Sequence, residues 1–83
     1  MEKILVSLDV PILGEKYDIF VPEDIKISSL TEVLAQGVFD VSGGKYAVSG
    51  REMLMLLEPE LLLDPQKTLG DYDVGDGSPM MMI

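Results

Sequence analysis

Apolar and polar positions alternate twice near the start of the chain, take up a helical period in the middle, and crowd together toward the end. In Lys3–Val10 (KILVSLDV), Ser7 and Asp9 point away from Val6, Leu8 and Val10, with Leu5 opposite Ile4, the pattern of a strand with one wetter face. Residues 11–16 (PILGEK) carry the proline and glycine of a connecting turn, and residues 17–21 (YDIFV) alternate again until Pro22 breaks the ladder. The two segments predict a hairpin. Residues 23–27 (EDIKI) then bridge to the next element.

Residues 28–41 (SSLTEVLAQGVFDV) are the convincing amphipathic helix of the chain. At about 100° per residue, Leu30, Val33, Leu34, Val38 and Val41 fall within an arc of roughly 140°. Ser29 and Glu32 have the spacing of a capping box, Ile27 stands where a hydrophobic staple onto Val33 would begin, and Gly43 and Gly44 supply the stop. An isolated helix of this length is marginal, so it needs a surface to pack on.

Residues 43–51 (GGKYAVSGR) read as a glycine-rich loop, with room for a short edge strand at residues 46–48. Residues 53–57 (MLMLL) are apolar without alternation, Glu58, Pro59 and Glu60 interrupt, and Leu61, Leu62 and Leu63 resume, which predicts two strands and a tight turn. A continuous apolar run implies burial on both faces. One helix covers only one of them. Residues 64–77 have the turn residues of a long surface connection pinned by Leu69 and Val74, and residues 78–83 (SPMMMI) form an uncharged last strand that belongs in the middle of a sheet. Pro79 is tolerable near its start.

Composition narrows the function. With 83 residues the chain is expected to form a single domain over 1–83 that buries about 60 to 65% of its unfolded surface. It has no cysteine, histidine or tryptophan, which removes disulfides, thiolate and imidazole ligands, and Cys- or His-based catalysis. Six basic against fifteen acidic residues give a net charge of -9, which repels phosphate backbones and anionic headgroups. A nucleic-acid partner is not expected. No apolar run approaches the roughly 20 residues of a bilayer span, and residues 1–10 lack the basic start and cleavage site of a signal peptide. Membrane insertion is therefore not expected, and the expected location is cytoplasmic.

The order strand, strand, helix, strand, strand, long turn, strand resembles a ubiquitin-like β-grasp, an α+β fold with a mixed sheet of four to five strands packed on one helix. Residues 68–77 (TLGDYDVGDG) resemble the Thr-Leu-x-Asp-Tyr turn before the last strand of ubiquitin and its relatives. Within that superfamily, residues 17–36 (YDIFVPEDIKISSLTEVLAQ) and the Asp-Gly pair before the last strand are similar to the YukD/EsaB-like proteins. These are small cytosolic components of bacterial type VII secretion systems, related to the cytosolic domain of the EccD membrane component. The resemblance implies that Tyr72 hydrogen-bonds to backbone near Asp64. Conjugated ubiquitins and sulfur carriers use a flexible tail ending Gly-Gly, whereas this sequence stops at Ile83 within its last strand. Conjugation is not expected.

Laid on the ubiquitin register, Leu57, Met81 and Ile83 fall where ubiquitin presents its partner-binding patch, with Met55 alongside. Methionine suits such a surface because its unbranched, polarizable chain adapts to its partner. The surplus of apolar positions points the same way. A homodimer, or cover by residues 43–51, would also shelter these side chains. Phe39 falls about 180° from the apolar arc and is either exposed or tucked under the next loop. Asp71, Asp73 and Asp76 lack the spacing and closing glutamate of a calcium loop, so neither a metal nor another cofactor is expected. Glu58 and Glu60 flank a turn proline and are expected to be solvated rather than an acid/base pair. Gly43, Gly44 and Gly50 lack the Lys-Ser/Thr of a phosphate loop. No enzymatic activity is expected. Two functions remain: an interaction module partnered with type VII secretion machinery, and an acidic regulator or inhibitor of an unrelated enzyme.

Overall fold

A computed structural model describes residues 3–83. Among them the elements are β1 (Lys3–Val10), β2 (Glu15–Pro22), α1 (Ile27–Val41), β3 (Leu54–Leu57), β4 (Glu60–Leu62), a 3-10 turn (Leu69–Tyr72) and β5 (Ser78–Met82). The strands form one sheet in the order β2-β1-β5-β3-β4. β1 and β5 pair in parallel at its middle, and every other neighbouring pair is antiparallel. Alternation therefore translates directly into faces. Val6, Leu8 and Val10 of β1, Met80 and Met82 of β5, and Leu54 and Leu56 of β3 are buried against α1.

The helix starts and faces differently from its sequence expectation. No side chain caps it, and Ser29 and Glu32 form no capping box. The connection after β4 lies across the helix start instead: the Ile27 amide donates to the Lys67 carbonyl at 2.8 Å and the Ser28 amide to the Pro65 carbonyl at 3.0 Å. Backbone from a distant segment satisfies amides that a side-chain cap would otherwise serve. The buried stripe is Ile27, Leu30, Thr31, Leu34, Ala35 and Val38. Val33 lies off it and is 64% exposed, so the expected staple from Ile27 does not form, and Val41 at the last turn is 67% exposed. The Thr31 hydroxyl donates to the Ile27 carbonyl at 2.6 Å, which satisfies the buried polar group. The predicted stop is present: Gly43 adopts φ +66°, a left-handed conformation that glycine takes without strain, and the Gly44 amide returns to the Phe39 carbonyl at 2.9 Å. Phe39 belongs to the helix yet lies beside Gly44.

Several other boundaries move. β2 is longer than the alternating core of residues 17–21, and Pro22 is its last paired residue, opposite Lys3. Residues 46–48 form no strand. β4 begins at Glu60 and ends at Leu62, while Leu63 turns inward and is buried. In the long connection Leu69 is fully buried and Val74 partly so. The Tyr72 hydroxyl accepts the Asp64 amide at 2.8 Å, as the turn resemblance implied.

Candidate interaction face

The face of the sheet turned away from α1 is where the surplus apolar residues lie. Met81 of β5 is the register partner of Met55 in β3 and of Asp9 in β1, and Met55 is in turn the partner of Leu62 in β4. A row Asp9, Met81, Met55, Leu62 thus crosses four strands on one side. Leu57 shares this side with Met55 by alternation, opposite Glu60. Ile83 follows Met81 with the same parity, and Met53 and Ile83 exchange two backbone hydrogen bonds at 2.7 and 2.9 Å. The structure thus brings Leu57, Met81, Ile83 and Met55 onto one face. Met55, Leu57 and Met81 are half-buried, and Ile83 is 51% exposed.

The same face carries apolar residues that sequence reasoning left out. Met53 and Leu62 are exposed beside Met55, and Phe20 of β2 is exposed opposite its partner Leu5 of β1. Phe20 could have been found from alternation alone, since it shares parity with the outward Asp18 of its own strand, whereas Met53 precedes β3 in a run without alternation. Leu62 could not, because its place depends on the β3–β4 register. Around these residues stand Asp9, Asp18 and Glu60, with Lys16 opposite Asp9. Lys3 of β1 shares their side by alternation, so the rim carries both signs of charge.

Residues 43–51 do not shelter this face. The segment folds toward the helix, where Val48 and Gly50 line a hollow together with Ile27, Thr31 and Glu32. Its conformation is set by Glu52, whose carboxylate accepts the Tyr46 hydroxyl at 2.9 Å and the amides of Ser49 at 2.7 Å and Gly50 at 3.0 Å. Burial alone would push the Glu52 carboxyl up, but hydrogen bonds from backbone amides and from Tyr46 outweigh it and hold the group below the ordinary carboxylate range. It is a fixed anion at neutral pH. Tyr46, itself buried, is pushed up to about 12 by desolvation and by donating to that anion.

The acidic residues considered from sequence have turn roles. The Asp71 carboxylate accepts the Thr68 amide at 2.9 Å and its hydroxyl at 3.2 Å, closing a capping box on the 3-10 turn. The Asp76 carboxylate accepts the Leu5 amide at 2.8 Å. Asp73 takes a left-handed conformation at φ 56°. Glu58 and Glu60 are exposed. Among the described residues no three Asp or Glu side chains cluster as metal ligands would, and no helix is long and apolar enough to cross a membrane.

No protein-family profile matches this chain, and no curated protein matches it either. Solved structures do. The ubiquitin-like domain of Dsk2 from Plasmodium falciparum aligns with a TM-score of 0.74 at 21% identity, over 98% of this chain and 96% of that one. The fold is the ubiquitin-like β-grasp. The EccD5 ubiquitin-like domain from Mycobacterium xenopi aligns with a TM-score of 0.73 at 18% identity, covering 100% of this chain and 94% of that one. A ubiquitin-like domain from Arabidopsis thaliana gives 0.66 at 19% identity, over 100% of this chain and 78% of that one. The β-grasp accounts for the division of labour in the sheet: the helix covers one face and leaves the other to solvent or to another protein.

Proposed function

We propose that this β-grasp is a protein-interaction module that docks its partner on the outer sheet face through Leu57, Met81 and Ile83, with Met55 beside them. The observation that carries the reading is that these four side chains share the face that α1 does not cover and are only partly buried there. The finer reading is an accessory component acting at the cytoplasmic side of a bacterial type VII secretion machine. It is supported by the resemblance of residues 17–36 and 68–77 to the YukD/EsaB-like proteins and by the likeness to the EccD5 domain. A different protein suits the face better than a second copy, because two copies would each bring a net charge of -9.

The test combines Leu57→Asp with Met81→Asp. The double variant is expected to retain the circular dichroism of the parent and to lose a partner that the parent holds in both low salt and about 1 M salt, where the Debye length falls to about 3 Å. Global unfolding of the variant would show these residues to be core. Capture that disappears in high salt would favour the acidic surface, and with it a regulator that mimics an anionic ligand. A parent that sediments as a dimer while the double variant sediments as a monomer would assign the face to self-association.

A further inference from the structure

On the other side of the sheet edge, α1, residues 48–54 and the end of β4 line an open cavity of about 430 Å3. That lies within the roughly 300 to 1,000 Å3 of ligand pockets. Val48, Met53 and Leu62 give it exposed apolar walls over a floor of buried Ile27, Thr31, Leu54 and Leu63. The charged residues lining it are Glu32 and Glu52, and neither Lys26 nor Arg51, which adjoin lining residues in sequence, is among them. The helix start offers no attraction to an anion either, since the Ile27 and Ser28 amides already donate to Lys67 and Pro65. The loop wall stands in place beforehand: Glu52 gathers Tyr46, Ser49 and Gly50, and Tyr46 is buried. A wall ordered in advance reduces the entropy lost when a ligand enters. Met53 and Leu62 line the cavity and also stand exposed at the margin of the outer face, so the lip is apolar where a chain would cross it.

We propose that this cavity is a docking site for a short apolar peptide segment flanked by lysine or arginine, with an aliphatic side chain seated among Val48, Met53 and Leu62 over Ile27 and Leu63 and the cation set against Glu32. The site shares Met53 and Leu62 with the outer face but none of Leu57, Met81, Ile83 and Met55, and it does not depend on the function proposed for them. Acetyl-Lys-Leu-Leu-Lys-amide and acetyl-Glu-Leu-Leu-Glu-amide, titrated into methyl-labelled protein and followed by NMR, test it. The lysine peptide shifts the methyl signals of Ile27, Val48 and Leu63 to saturation, and the glutamate peptide does not at the same concentration. Glu32→Lys, on the exposed side of the helix, weakens the lysine peptide by about five-fold, the scale of an exposed charge contact. Val48→Trp fills the cavity from an exposed loop position and removes the shifts; if that variant does not fold, Glu32→Lys carries the test. Equal shifts from the two peptides, no saturable shift from the lysine peptide, or shifts confined to Met55 and Met81, would overturn the proposal. The last of these leaves the outer face as the peptide site, so the two surfaces are told apart.

Discussion

The hydroxyl of Tyr72 accepts the backbone amide of Asp64 at 2.8 Å, tying the 3-10 turn to the chain as it leaves β4. The segment held in this way supplies the Pro65 and Lys67 carbonyls that receive the first amides of α1. Tyr72→Phe is expected to destabilise the domain by about 1 kcal/mol, the usual net contribution of one hydrogen bond. Urea unfolding checks it: the midpoint falls while the slope stays constant.

Asp76 binds the approach to β5 to the strand beside it. Its carboxylate accepts the Leu5 amide at 2.8 Å, and the Gly77 amide donates to the Leu5 carbonyl at 2.7 Å. Asp76→Ala should cost about 1 kcal/mol and speed hydrogen exchange at the Leu5 amide. Asp76→Asn keeps an acceptor oxygen and should restore most of the protection.

The Tyr46–Glu52 pair makes the loop sensitive at both ends of the pH scale. The Glu52 carboxyl is lowered, so its contribution is present above the ordinary carboxylate range and is lost as pH falls through its folded value. The Tyr46 phenol is raised from 10.0 to about 12, so its contribution is present below 10.0 and is lost as pH rises toward about 12. Ultraviolet titration of the parent should show a late tyrosinate phase near pH 12 that Tyr46→Phe abolishes. Glu52→Gln should move that phase to lower pH, though not all the way, because desolvation is the larger cause.

Neighbouring helix positions 33 and 34 should respond in opposite ways. Leu34 is buried, and truncation to alanine is expected to cost about 2 to 5 kcal/mol. Val33 is exposed, and Val33→Ser should stay within about 0.5 kcal/mol. Thermal melts of the two variants against the parent separate these outcomes.

Position 33 also marks the limit of what the sequence discloses. Periodicity weights large apolar residues, so it favours Val33 over Thr31 and Ala35, the small members of the buried stripe. Strands were easier, because a period of two leaves only two choices of face: β1 has the bounds that its alternation predicts. The capping box at Ser29 failed for a non-local reason, since carbonyls about forty residues away in the chain take its place. The four outer-face residues follow from the ubiquitin register laid on Thr68 and Leu69, an implication of the resemblance rather than of any alternation in residues 53–57. Leu62 required the β3–β4 register, and the cavity beside α1 required residues 27–36 and 48–65 to meet in space. Neither is written in any single stretch of the chain.

The parallel pairing of β1 with β5 sets a timetable for a chain made from its N-terminus. Until residue 78 has been synthesised, the β1–β2 and β3–β4 hairpins have no strand to join them, and each presents an open backbone edge toward the gap. The half-made chain thus lacks the one strand that joins its two hairpins into a sheet. Its sheet closes only when Ser78–Met82 slots between them.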